Sequence, residues 1–182
     1  MAQSPILIYD KFTGPNGDTL AAHTPGPINI PGGSWSATDY RIDSNKAYNN
    51  TTSNRAVGIP TGRTDLYRVT ATFTTNINSG VALRVVDATH SFFTYNTATN
   101  FLIIEDNGGF TQRASMALVP SGVGKASIEL NGNVITAKHY SDNVLDGVLT
   151  YTSALFAASQ NAGLALQQGT THAADEFVVE TI

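Results

Sequence analysis

Cysteine is absent from this 182-residue sequence, and its only sulfur atoms are the thioethers of Met1 and Met116. No disulfide framework and no zinc–thiolate site can therefore exist. Charge is scarce: Asp, Glu, Lys and Arg make up 13% of the chain, about half of the roughly 25% usual for globular proteins. Ten basic residues against 14 acidic ones give a net charge of −4. The basic residues stand singly, so no stripe is available to neutralise nucleic-acid phosphates or to meet an anionic membrane. No apolar run approaches the ~18 residues needed to span a bilayer. The opening residues lack a basic n-region, and their apolar stretch covers only Ile6 to Tyr9, so no signal peptide is expected. Sustained 3.6-residue periodicity is also missing, which excludes α-solenoid and doubly wound folds.

In place of charge the chain carries Thr, Asn, Ser and Gly, a mixture that favours strands and turns. Leu66 to Thr75 alternates cleanly. Tyr67, Val69, Ala71 and Phe73 fall on one face, and Arg68, Thr70, Thr72 and Thr74 on the other, as in a half-buried strand. Further strands are predicted near 6–12, 39–43, 81–86, 91–96, 100–106, 113–119, 125–131, 133–140, 146–151, 163–168 and 175–181. Asn131-Gly132 and Asn107-Gly108-Gly109 supply hairpin turns. The Gly/Pro/Asn/Thr-rich stretch 13–64 is too long for a bare loop and should hold short strands and ordered turns. Ser153 to Ser159 is the one helix candidate, two turns at most, with Ser153 as its cap. The expected fold is all-β: a single domain over 1–182, an antiparallel two-sheet jelly-roll sandwich of about twelve strands, with at most one short helix near 153–159.

The two ends look alike. Asp10-Lys11-Phe12, Gly17-Asp18-Thr19-Leu20, His23-Thr24-Pro25 and Gly33-Ser34-Trp35 open the chain, and Ala174-Asp175-Glu176-Phe177-Val178-Val179 closes it. Ala126 to Ile135 and Gly163 to Leu166 lie between. In this order the motifs resemble the concanavalin A-like, laminin-G-like jelly rolls of bacterial and bacteriophage proteins. The resemblance implies that the first strand lies beside the last, with Phe12 and Phe177 inward and Trp35 in the place of the family's tryptophan. It also implies Asp10 and Asp175 at edges or turns, where they cap backbone N–H groups or, alternatively, hold a metal.

Catalytic patterns do not emerge. Glu105-Asp106 and Asp175-Glu176 are adjacent pairs, expected on opposite strand faces, whereas glycoside hydrolysis needs two carboxylates about 5–10 Å apart on one side. Glu129 reads as the wet side of a hairpin strand. His23, His90, His139 and His172 show no metal spacing; His23 should bond backbone and His139 should lie on the surface. Gly122-Val123-Gly124-Lys125 lacks phosphate-loop spacing. Asp142-Asn143 and Asp146-Gly147 read as turns, with a loop cation as the alternative. Trp35 reads as a core plug, with a sugar-stacking platform as the alternative. In Phe92-Phe93…Tyr95 one face must be core and the other is free to line a groove. Tyr48 to Arg55 reads as a long polar loop.

The primary expectation is a non-enzymatic bacteriophage virion protein, a capsid decoration or fibre-type domain. It would be made in the host cytoplasm, without a cofactor, as a homo-oligomer docked on a major capsid or tail protein. The alternative is a carbohydrate-binding module attached to surface polysaccharide. Contacts with a ligand or partner are expected from Tyr48, Arg55, Arg84, Tyr95 and Arg113, the last three on strands near the middle of one sheet.

Overall fold

The structure, a computed structural model, describes residues 6–23, 25, 34–36, 39–51 and 56–182. It is built from fourteen strands: β1 (Ile6–Asp10), β2 (Tyr40–Asp43), β3 (Lys46–Asn49), β4 (Val57–Pro60), β5 (Tyr67–Phe73), β6 (Ser79–Asp87), β7 (His90–Asn96), β8 (Asn100–Asn107), β9 (Phe110–Ala117), β10 (Gly124–Asn131), β11 (Val134–Ser141), β12 (Val144–Thr152), β13 (Asn161–Leu166) and β14 (Ala174–Thr181). Two single turns of 3-10 helix, at Leu20–Ala22 and Thr170–His172, are the only helical pieces among the described residues. One sheet runs β12-β11-β10-β5-β14-β3-β2, with β1 also paired to β14; the other runs β4-β13-β6-β7-β8-β9. All the paired strands are antiparallel. This is the two-sheet sandwich that the alternation requires. The two strands not anticipated, β3 and β4, are four residues each and lie within the Gly/Asn/Thr-rich stretch. β3 is returned from β2 by Ser44 and Asn45, both at positive φ, as a two-residue hairpin turn demands.

Strand alternation sorts the core. Tyr67, Val69, Ala71 and Phe73 of β5 are buried against Val81, Leu83, Phe92, Phe101 and Ile103 of the facing sheet. The closing strand does lie beside the opening one: Ile8 pairs with Val179 and Asp10 with Phe177. Phe12 and Phe177 are both fully buried. Trp35 is a core plug, 2% exposed, set edge-on to Phe177 at a centroid distance of 4.8 Å and 6.1 Å from Phe12. Asp10 holds this corner together. Its carboxylate accepts the Phe12 backbone N–H at 2.7 Å and the Trp35 indole N–H at 3.0 Å. His23 Nε2 lies 2.8 Å from the same group, so His23 bonds a side chain rather than backbone. A buried carboxylate is tolerated only with such partners.

Residues 153–159 form turns, not a helix. The carbonyls of Ser153 and Leu155, which a helix would need for its own ladder, accept the Arg84 guanidinium instead. Ser153 Oγ caps only the local Leu155 N–H. Asp142 and Asn143 form the two-residue turn between β11 and β12, both at positive φ, and Asp142 Oδ1 accepts the Val123 N–H. The turn reading therefore holds for Asp142-Asn143, whereas Asp146-Gly147 lies within strand β12, where Gly147 pairs with His139; no cluster of three or more His, Asp or Glu suited to a metal occurs among the described residues. His139 is fully buried, not on the surface. Its Nε2 lies 2.7 Å from Asn76 Oδ1 and its Nδ1 2.5 Å from Asp146 Oδ1. Asn76 Nδ2 donates to Ser121 O and Ser141 Oγ, which leaves Asn76 Oδ1 to accept from the imidazole. Gly124 is required beside this network, because a Cβ there would sit 2.5 Å from the Asn76 side chain.

Two outcomes follow from this core. Phe177→Ala removes a ring packed on Trp35 and should cost ~3–5 kcal/mol, lowering the melting temperature by roughly 6–20 °C at the ~2–4 °C per kcal/mol typical of this size. A calorimetric shift under about 3 °C would contradict the seam as a core element. Burial pushes the Tyr67 hydroxyl up to about 12, from an ordinary 10.0, and raises Tyr40 as well. The unfolded chain therefore releases these protons first, and stability should be full below pH 10 and fall as pH rises through about 12. Phenolate absorbance should show these two tyrosines ionising only as the fold is lost; their titration with the exposed ones, fold intact, would contradict the burial.

Candidate functional site

Two surfaces offer chemistry. The first is the outer face of the six-stranded sheet. Directly opposed residues of antiparallel strands share a face, so the register itself writes out the surface. Ser91, Asp106 and Phe110 form one cross-strand row. Phe93, Ile104 and Gln112 form the next, and Tyr95, Leu102 and Ser115 the third. Phe92 points the other way, into the main core, so the aromatic run of β7 divides between core and outer face as its alternation demands.

On this outer face Ala56, Ala82, Val85, Phe93, Ile104 and Ala165 form a second, smaller apolar cluster, with Tyr95 and Leu102 packed on it. Accessibility opens toward β9, where Phe110 is 54% exposed and Gln112 and Ser115 are exposed. Phe93, Tyr95, Ile104 and Phe110 enclose an apolar niche of 110 Å3. Tyr95 is half-buried, burial raises its hydroxyl pKa, and it donates to Asn78 Oδ1 at 3.3 Å. Gln112 Nε2 donates to Ser115 Oγ at 3.1 Å beside the niche. An exposed aromatic ring flanked by uncharged amide and hydroxyl groups can stack on an apolar ligand face and hydrogen-bond its polar edge.

The second surface is a polar crevice of 290 Å3 on the eight-stranded sheet, lined by Lys11, Thr13, Asn45, Thr72, Asp175 and Glu176. Adjacent residues of a regular strand would diverge, yet Asp175 and Glu176 both reach it. The β14–β5 register shifts between Ala174 and Glu176, and such a bulge re-aims a side chain. This corrects the expectation that the pair is split between two faces. Glu176 is engaged by the Tyr9 hydroxyl at 2.8 Å. The Lys11 ammonium lies over the Tyr9 ring at 5.7 Å, and its pKa is raised, first by Tyr9 and then by the two carboxylates.

The five residues singled out from sequence are not brought together. Tyr48 lies on β3 of the eight-stranded sheet, paired with Arg41, and so belongs to a strand rather than to a long loop. Arg55 lies outside the described residues. Arg84 is 1% exposed and is a structural residue, not a contact residue. Its guanidinium donates to the carbonyls of Gly132, Ser153 and Leu155 and to Asn133 Oδ1. Burial lowers its pKa, with Tyr67 acting in the opposite sense. Arg113 is the extra residue of a bulge, since Ile103 pairs with Ala114 and Ile104 with Gln112. Its guanidinium is held in a two-point pair by the buried Glu105, at 2.9 Å for each bond, and lies over the Tyr151 ring. Only Tyr95 of the five stands on the aromatic outer face. The Phe93/Tyr95 alternation together with the Gly108-Gly109 hairpin register leads to Phe110 and Gln112, which the sequence reading did not name, whereas Ser115 joins them only through the bulge at Arg113. Glu129, on the wet side of β10 as expected, accepts from Arg68 and Lys138. Burial raises its pKa, but these two bonds outweigh that and hold the carboxyl below its usual range.

No family model matches the sequence, and no curated protein matches it. Solved structures do. The carbohydrate-binding module CBM66 from Bacillus subtilis superposes with a TM-score of 0.57 at 14% identity, over 84% of this chain and 94% of that one. The exoplasmic/lumenal domain of VIP36, in a form bound to Ca2+ and Man2, gives 0.55 at 8% identity, over 92% and 87%. A mutant of the GH43 protein BlXynB from Bacillus licheniformis gives 0.59 at 10% identity, over 96% of this chain but 39% of that one. At these identities the likeness is one of fold: the chain shares an antiparallel two-sheet jelly-roll sandwich with these proteins.

Proposed function

We propose that this chain is a non-enzymatic glycan-recognition module that binds through the outer face of β7, β8 and β9. The observation that carries this reading is the pairing of accessible aromatic surface, Phe110 and Tyr95, with the uncharged hydrogen-bonding edge of Gln112 and Ser115. A sugar has the complementary character, with C–H faces that stack on rings and hydroxyls that bond amides and hydroxyls. The charge that would oppose it is withdrawn, because Arg113 is folded back onto Glu105. The fold likeness to a carbohydrate-binding module and to a mannose-bound lumenal domain supports the same reading. Neither the described surface nor the comparisons favour a virion-ornament role over it.

A glycan array followed by calorimetry tests this. The protein should bind a subset of glycans, and Tyr95→Ala should weaken that binding by at least about tenfold, ~1.4 kcal/mol. Tyr48→Ala, on the opposite sheet, should leave it unchanged. A blank array, or Tyr95→Ala binding like the natural chain, would overturn the proposal.

A further inference from the structure

The niche on the outer face has a shape and a chemistry that narrow the ligand class. Phe93 is its floor. The Phe110 and Tyr95 rings both stand nearly perpendicular to it, at 79° and 83°, with centroids 5.7 and 6.3 Å away. They make two walls, and Ile104, opposite Phe93 across the strand pair, completes the enclosure. The polar end of Tyr95 is spent on Asn78, which does not line the niche. Among the described residues the lining is therefore three rings and one aliphatic side chain.

A volume of 110 Å3, against the about 150 Å3 of a buried cavity that holds one benzene molecule, takes a substituent of a few heavy atoms more readily than a whole sugar ring. A hydroxyl pressed against these rings would give up bonds to water for apolar contact. A methyl group gains by leaving water. The rim supplies what the rest of a sugar needs: the Gln112 and Ser115 side chains are exposed, bond each other among the described residues, and retain donor and acceptor capacity. Among the described residues the rim side chains are also uncharged, the Asp106 carboxylate of the neighbouring row being buried and Arg113 paired with Glu105. An uncharged polar rim around a dry pocket of this size fits a neutral sugar that carries one small apolar substituent.

We infer that the Phe93–Tyr95–Ile104–Phe110 niche is a methyl-recognition subsite, so that the glycans bound by this face are those bearing a methyl group. Resting on the glycan-binding reading, this sharpens it. Two kinds of sugar present such a group: N-acetylhexosamines through the acetamido methyl, and 6-deoxyhexoses through C6. Calorimetry on matched sugars separates them, with N-acetylglucosamine against glucose in one arm and L-fucose against L-galactose, its parent hexose, in the other.

The natural chain should bind the methyl-bearing member of at least one pair about tenfold or more tighter than its parent hexose. The arm that shows the preference identifies the substituent. Phe110→Ala removes one wall at an exposed position, where folding is not at stake, and should reduce the preference to about threefold or less. Equal binding of methyl-bearing and parent sugars overturns the inference and leaves the glycan-binding proposal standing. So does a preference that persists undiminished in Phe110→Ala. Failure of every member of the panel to bind overturns both.

Discussion

A buried guanidinium with four oxygen partners holds the two sheets of this sandwich in register. Arg84 sits on β6 of the six-stranded sheet at a positive φ of 50°. It reaches Gly132 and Asn133 in the β10–β11 turn of the other sheet, and Ser153 and Leu155 in the segment after β12. A charge of this size needs oxygen partners in a core, and both terminal nitrogens have two each while Nε has none among the described residues, so the turn and the segment are where they meet the guanidinium. The same requirement stops residues 153–159 from becoming a helix. At the Asp10 corner a single carboxylate fixes the Phe12 turn, the Trp35 indole and the His23 ring by the same logic of satisfied burial. Stability in this charge-poor protein comes from aromatic and aliphatic packing organised around these buried polar nodes.

That division of labour shapes the surface. With Arg84 and Arg113 committed to other oxygens and the Asp106 carboxylate of the first row buried, the accessible side chains of the three rows are rings, aliphatic groups, amides and hydroxyls. Its three cross-strand rows are a direct consequence of register, and the Arg113 bulge is what turns the charged side chain out of the rows while keeping Gln112 and Ser115 in them. The opposite sheet carries the charges instead: Arg68 bridges Glu129 and Glu180, and Lys138 joins Glu129. The two outer faces are thus chemically distinct, one a wet ionic lattice and the other an apolar platform with a neutral rim.

Most of the architecture was legible in the sequence. Period-2 alternation located β5 and divided Phe92 from Phe93. The matching chain ends indicated the β1–β14 seam with Phe12, Phe177 and Trp35 inside it. What alternation cannot report is a departure from alternation. The bulge at Asp175 put two acids beside one crevice, the bulge at Arg113 led an arginine expected to face a ligand onto Glu105 instead, and the left-handed residue at Arg84 turned a strand side chain inward. Local sequence also cannot reveal long-range polar matching, so His139 read as a surface residue although Asn76, 63 positions away, completes its buried site. Of the candidate face, Tyr95 was found from its own strand; Phe110, Gln112 and Ser115 needed the β8–β9 pairing to be placed beside it.

The central claim is that this molecule recognises sugar on the β7–β9 face. The most direct measurement is a two-dimensional NMR titration of the labelled protein with a glycan drawn from its array profile. The Gln112 side-chain amide and the backbone of Tyr95, Phe110 and Ser115 should shift together and saturably, while Lys11, Thr72 and Glu176 on the opposite sheet stay still. Shifts confined to the Lys11–Asp175–Glu176 crevice, or no saturable shift at all, would contradict the claim.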